Sequence, residues 1–307
     1  MKPIVILGIF VADTAYRADR QPKMGETILG TSFVLGPGGK GSNQAVAAAM
    51  AGGQTHFITR LGADAFADIA RATWARAGVI PEVTIDADSY TGAAYIFIEN
   101  ATGNNAIIVS PGAAGRVSEA DVDAKAGLIG SAAVFVTQLE QPIPAAKRGL
   151  EIARAAGVTT ILNPAPAASL GNDILVLCDY ITPNETEAEA LSGLPVTTIA
   201  EARIAAAALL ARGVGAVVMT LGANGALYHD ATQSVHIPVI PAGPVVETTG
   251  AGDAFNGGFA VALSEGRDVI DAVRFGCAVA GISVTRSGAA ASMPARSEID
   301  TLLAAQI

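Results

Sequence analysis

A 307-residue chain with 51% hydrophobic and 15% charged side chains can bury a large core, which excludes a disordered protein and a small disulfide-stapled scaffold. Its 28 Asp+Glu against 19 Lys+Arg leave a net charge of −9, which opposes diffuse attraction to nucleic acid or an anionic membrane, so an anionic ligand needs a local site. The length fits two domains or one large α/β unit. The first strand is IVILGIF, an apolar run too short and wrongly flanked for a secretory signal, and no apolar stretch approaches the ~20 residues of a membrane span. The expectation is a soluble, cytoplasmic chain. Residues 12–35 read as strands joined by turns, followed by the glycine cluster GPGGKGSNQAVAAAM, a helix from near Ser42 to Gly52 and Gly53, and the strand FITRLG. Residues 91–110 read as a hairpin through ATGNN. From about residue 115, helical segments near 118–129, 142–156 and 198–212 alternate with the β-branched runs VFVTQ, TTILNP and AVVMTL.

That alternation predicts an α/β fold, a doubly wound, mostly parallel sheet flanked by helices with its ligand site at the strand C-terminal ends. Residues 1–11, 36–90 and 111–307 are expected to form this unit. Segments 12–35 and 91–110 form either a small β-sheet lid over the site or an edge extension of the main sheet, and the lid is the reading carried forward.

Gly36, Gly38 and Gly41 formally satisfy G-x-G-x-x-G, but the cluster does not open the first βα unit, so the dinucleotide reading is weak. Lys40 is followed by glycine, which rules out a Walker A loop. What remains is a tight turn with one cation, Lys40, and a polar helix start. There Ser42 or Asn43 caps the helix, or Asn43 meets the hydroxyls of a sugar-like ligand. ETTGAGDAFNGGFAVAL says more. Phe255, Phe259 and Leu263 recur at helical spacing, so a helix begins near Asp253 behind Gly250 and Gly252. Free N–H groups and the helix dipole favour an anion there, such as a phosphoryl group in flight. Asp253 either takes the proton of an attacking hydroxyl or merely caps the helix, and the dipole is expected to keep it ionised. Glu140 in VTQLEQP, and Asn184 with Glu187 in ITPNETEAE, also follow strands. Glu187 suits Mg2+ held through water, although the same segment is a good helix start with Thr182 or Asn184 as cap. TLGANG, residues 220–225, either lets a nucleotide approach the backbone or is a hairpin turn. Cys178 and Cys277, the only cysteines, support neither a disulfide framework nor a thiolate cluster, and His56, His229 and His236 lack zinc spacing.

In order and together, GGKGSNQA, NPAPA at 163–167, TPNETEAE, TLGANG, TTGAGDAFNGG and VTRSGA resemble the ribokinase, or PfkB-type, carbohydrate kinase family over nearly the whole chain. The resemblance implies a kinase that uses MgATP to phosphorylate a sugar hydroxymethyl group, D-ribose to D-ribose 5-phosphate in the first instance. Asp253 corresponds to the catalytic base, and the backbone of Gly250, Ala251 and Gly252 to the anion hole. Asp13, Gly39, Lys40, Asn43 and Glu140 match sugar-contacting positions. Asn184, Thr220, Gly222, Gly225, Gly252 and Cys277 fall on the ATP side, with Glu187 near the Mg2+ water shell. A monovalent-cation site, K+ in the family, matches Glu247, Thr249, Ser283, Arg286, Gly288 and Ser292, several through backbone carbonyls.

Two positions depart from that pattern. Val11 stands where ribokinases carry asparagine, removing an amide to a sugar hydroxyl, and Glu247 replaces an aspartate at the cation site. The alternatives are a kinase for deoxyribose, another sugar or a nucleoside, or a non-catalytic sugar- or nucleotide-binding sensor. An exposed lid edge also permits a homodimer.

Overall fold

The computed structural model describes residues 2–306. The first half of the chain comprises β1 (Ile4–Leu7), β2 (Val11–Ala18), β3 (Ser32–Gly38), α1 (Lys40–Met50), β4 (Thr55–Leu61), α2 (Ala65–Ala77), β5 (Ile80–Ile85), β6 (Thr91–Glu99) and β7 (Asn105–Gly112). There follow α3 (Glu119–Asp123), α4 (Ala126–Ser131), β8 (Val134–Thr137), α5 (Ile143–Ala155), β9 (Thr159–Leu162), α6 (Asn172–Leu175), β10 (Tyr180–Ile181) and α7 (Glu185–Ser192). The last elements are α8 (Ile199–Leu210), β11 (Ala216–Thr220), β12 (Ala226–His229), β13 (Ser234–Ile237), α9 (Ala251–Ser264), α10 (Val269–Ser283) and α11 (Arg296–Ala304).

Nine strands form the main sheet in the order β13–β12–β11–β10–β9–β8–β1–β4–β5, parallel from β11 to β5 and closed by the antiparallel β11–β12–β13 meander. Its parallel strands are apolar at successive positions because both faces are covered. Ile4 and Ile6 of β1 pack in one core with Ala47, Trp74, Phe259 and Phe275, whereas Val5 and Leu7 pack in a second with Phe135, Leu150 and Leu209. Strand order reverses at β1, which pairs with β4 on one side and β8 on the other. A crevice at the C-terminal end of such a switch strand is where ligands enter open α/β sheets. Gln138 to Glu140 leave β8 there, Asn163 leaves β9 and Thr182 leaves β10.

The remaining four strands pair only with one another, in the order β3–β2–β6–β7. They form a separate small sheet and not an edge extension. The 91–110 hairpin is as expected, with Phe97 opposite Ala106, and β2 and β6 run parallel at the centre. Two boundaries differ from expectation. β3 runs on through Gly36–Gly38, so the glycine cluster starts as strand. The segment near 118–129 is two short helices: Ser118 caps α3 through a capping box with Asp121, and the chain turns at Lys125, whose Nζ is tied to Glu82 at 2.6 Å. No described helix is long and apolar enough to cross a membrane.

Candidate active site

The site begins where β3 gives way to α1. Gly39 adopts φ +90°, and a Cβ there would stand 2.5 Å from the Ile9 carbonyl oxygen, so the turn requires glycine. It is the N-cap residue, and no side chain caps the helix. Capping by Ser42 or Asn43 is therefore corrected: α1 starts at Lys40, which releases both for tertiary contacts. Ser42 Oγ accepts from Trp74 Nε1 at 3.0 Å, and Asn43 Nδ2 donates to Asp253 Oδ2 at 3.0 Å. The Lys40 N–H donates to Glu140 Oε2 at 2.7 Å, so a carboxylate from the end of β8 satisfies the helix terminus.

Opposite lies the start of α9. Gly250 has φ +79°, and a Cβ on it would lie 2.8 Å from Ala289 Cβ. Asp253 is the third residue of α9 and does not cap it; its carboxylate instead accepts from Asn43 and, at 3.1 Å on Oδ1, from Gln44 Nε2. Of the three expected anion-hole residues, Ala251 turns its N–H back onto the Thr248 carbonyl at 3.1 Å. The N–H groups of Gly252 and Asp253 take no acceptor among the described residues, and Gly252 is exposed. The expectation that the dipole fixes the charge of Asp253 is also corrected. Burial is the largest influence and raises its pKa, while Lys40, Asn43 and Gln44 oppose the rise.

Two further carboxyls share this electrostatic field. Burial pushes Asp13 up to about 6, and Glu140 up to about 7 against the Lys40 N–H and charge that favour its ionised form. Asn43 Oδ1 is buried with no donor among the described residues, the one unmet side-chain acceptor there on a residue that touches Asp253. A ligand hydroxyl is a group that fits it.

On the other flank, Asn184 caps α7 in a reciprocal box: its Oδ1 accepts from the Glu187 N–H at 2.8 Å and its own N–H donates to Glu187 Oε2 at 2.9 Å. Of the two readings of this segment, the helix cap at Asn184 is the one these contacts describe. Glu187 Oε1 keeps no protein partner among the described residues, and burial raises its pKa. Asn184 bridges to Thr220 at the end of β11, and residues 222–224 form the turn of the β11–β12 hairpin, ending at Gly225. Cys277 lies in the core on α10, its thiol pushed up to about 12 by burial.

Of the cation-site residues, Glu247 Oε2 accepts from the Gly288 N–H at 2.9 Å, which draws the 247–250 and 284–292 segments together. The Ser283 and Ser292 hydroxyls donate to the carbonyls of Ala280 and Ala289; Thr249 is exposed, and Arg286 is paired with Glu298. A cleft of about 540 Å3 lies elsewhere, around the Arg154–Asp179 ion pair near the N-terminal ends of β9 to β11 and away from these carboxyls.

Beneath the site lies a set of buried amides and hydroxyls that the sequence did not single out as site residues: Gln44, Gln138, Asn163 and Asn256, with Thr182, which was expected only as a helix cap. All five lie inside the motifs already singled out. Their polarity in apolar surroundings was the available signal, because buried amides must find partners.

A carboxylate and open helix N–H groups thus meet at the switch point of a doubly wound sheet, where ligands enter such folds. The chain belongs to the pfkB family carbohydrate kinases, whose model matches residues 1–296. It is 37% identical to the ribokinase of Haemophilus influenzae over 298 residues, 97% of each chain. It is 34% identical to the deoxyribokinase of Salmonella typhi over 305 residues, 98% of each. The structure of Arabidopsis thaliana ribokinase complexed with ribose and ATP superposes with a TM-score of 0.91 at 32% identity, covering 98% of both chains.

Proposed function

We propose that the chain transfers the γ-phosphoryl group of ATP to the hydroxymethyl oxygen of a pentose, D-ribose in the first instance. The observation that carries this is Asp253, a buried carboxylate beside open N–H groups and within reach of Asn43, whose Oδ1 lacks a donor among the described residues. Asp13, Asn43 and Glu140, with Gly39 and Lys40, hold the sugar. Asp253 accepts the hydroxyl proton as the oxygen attacks phosphorus, the bond from phosphorus to the bridging oxygen of ADP breaks, and the N–H groups of Gly252 and Asp253 receive the charge on the transferring group. Lys40 adds the positive charge that such a transfer needs. Asn184, Thr220, Gly222 and Gly225 line the nucleotide side. Glu187, with one carboxylate oxygen uncommitted, would hold Mg2+ through its water shell, supplying charge neutralisation of the phosphates. Glu247 with the carbonyls of 249 and 283–292 would hold K+, for which an oxygen-rich turn is a suitable donor set. An ADP-release assay over ribose, other sugars and nucleosides tests the assignment; no release with any of them, with intact binding, would favour a sensor. Turnover of wild-type protein is expected to fall several-fold when potassium is replaced by sodium, and equal rates would remove the K+ assignment.

A second reading, phosphorylation of 2-deoxyribose, is favoured by Val11. It is buried with Ile9, Ala94 and Ala114, an apolar cluster two residues from Asp13 on the same face of β2. A hydroxyl left unpaired against that wall costs about 1–3 kcal/mol. The relative named a deoxyribokinase accords with this reading. Val11→Asn is expected to shift kcat/KM towards ribose over 2-deoxyribose.

The small sheet acts as a lid. Its Asp13-side register carries the half-exposed Val34, Ile107 and Val109, which closure over a sugar would withdraw from water. Tyr16, Phe33, Leu35 and Ile108 lie on the opposite face, and a second copy of the chain covering them would form a homodimer.

A further inference from the structure

We propose that Gln44 is a positioning residue that holds the Asp253 carboxylate in the plane from which it meets the acceptor hydroxyl, an inference that rests on the reading of Asp253 as the base. Gln44 is fully buried, and every part of its amide is committed. Nε2 donates one hydrogen to Asp253 Oδ1 at 3.1 Å and the other to Asn163 Oδ1 at 3.0 Å, while Oε1 accepts from Gln138 Nε2 at 2.5 Å. The amide cannot rotate without losing one of the three bonds. Because Asn43 grips Oδ2, two amides on consecutive residues of α1 fix both oxygens, and hence the plane, of the carboxylate.

The same bonds continue into the anion-binding turn. Asn163 Nδ2 donates to the Thr182 carbonyl at 3.0 Å, and Thr182 Oγ1 donates to Asn256 Oδ1 at 2.6 Å. Asn256 Nδ2 then donates to the Gly252 carbonyl at 2.8 Å, one residue before Asp253. Gln44 therefore closes a side-chain ring joining α1, the ends of β9 and β10, and the first turn of α9. The charged groups facing Asp253 are Lys40 on α1, Glu140 after β8 with Asp13 behind it, and Glu187 on α7. None of these side chains hydrogen-bonds the carboxylate, so its orientation is set by the two amides.

Gln44→Met keeps length and volume and deletes the donor. Loss of a hydrogen bond to a charged group is expected to lower kcat by about tenfold or more while KM for sugar and ATP stays within about threefold. The acid limb of the kcat–pH profile should move up, since the ionised carboxylate has lost a donor. Thr182→Val cuts the ring away from the carboxylate and should lower the thermal midpoint without moving that limb. A Gln44→Met protein with a lowered midpoint but wild-type kcat and acid limb would overturn the proposal. If Gln44→Met does not fold, Gln138→Leu, which frees Gln44 Oε1, should move the acid limb in the same direction by less, and an unmoved limb overturns the proposal there. Asp253→Asn separates the two readings. Retained turnover refutes the base itself, whereas lost turnover alongside an unaffected Gln44→Met refutes only the positioning role.

Discussion

Glu140 and Asp253 share the field of Lys40, Asp13 acts on Glu140, and burial raises the pKa of each of the three carboxyls. For Glu140 the folded value of about 7 lies above the ordinary 4.5. Its contribution to stability is therefore complete below pH 4.5 and is lost as pH rises through 7. Glu140→Gln keeps an oxygen for the Lys40 N–H and removes the charge. Relative to wild type, the variant is expected to gain roughly 2–3 kcal/mol between pH 5 and pH 8, read from denaturant midpoints of substrate-free protein. A gap that does not change with pH would show that Glu140 is ionised at no cost. At this scale the sequence revealed types better than partners. Asp253 stood out because glycines and a helical period surround it. Gln44 did not, because its role depends on Asn163 and on Asp253, 209 residues further along, a distance no local pattern spans.

At the scale of elements, two helix starts face each other across the crevice, and each is shaped by a glycine in the left-handed region. Gly39→Ala combines an unfavourable φ with a Cβ pressed on the Ile9 carbonyl, and is expected to cost about 1–3 kcal/mol by urea denaturation. A cost under about 0.5 kcal/mol would mean that the turn relaxes freely. The αβ alternation after residue 115 was legible because TTIL and AVVMT are short, β-branched and bounded by helix signals. The start of α1 was not. Its N-terminal N–H is satisfied by Glu140, a hundred residues away, so the usual local signal of a capping Ser or Asn misplaced the cap by three or four positions.

At the scale of the molecule, the two interrupted segments at 12–35 and 91–110 were recognisable as foreign to the parallel layer. Their union into one sheet through the β2–β6 pairing was not, because parallel neighbours carry no turn signal. The outward face of that sheet makes the oligomeric state testable. Wild-type protein is expected to sediment as a dimer, and the double variant Phe33→Asp, Ile108→Asp as a monomer with unchanged near-ultraviolet circular dichroism. A monomeric wild type would remove the dimer.

The central place of β1 has a consequence for synthesis. The strand is made before either of its partners, finds β4 first, and must wait for Val134–Thr137 before its other edge is paired. Through that interval a nascent chain displays a row of bare amide and carbonyl groups flanked by Ile4, Val5, Ile6 and Leu7. Such an edge invites other chains to add to it, so the growing polypeptide is most in need of chaperone cover between the making of β4 and that of β8.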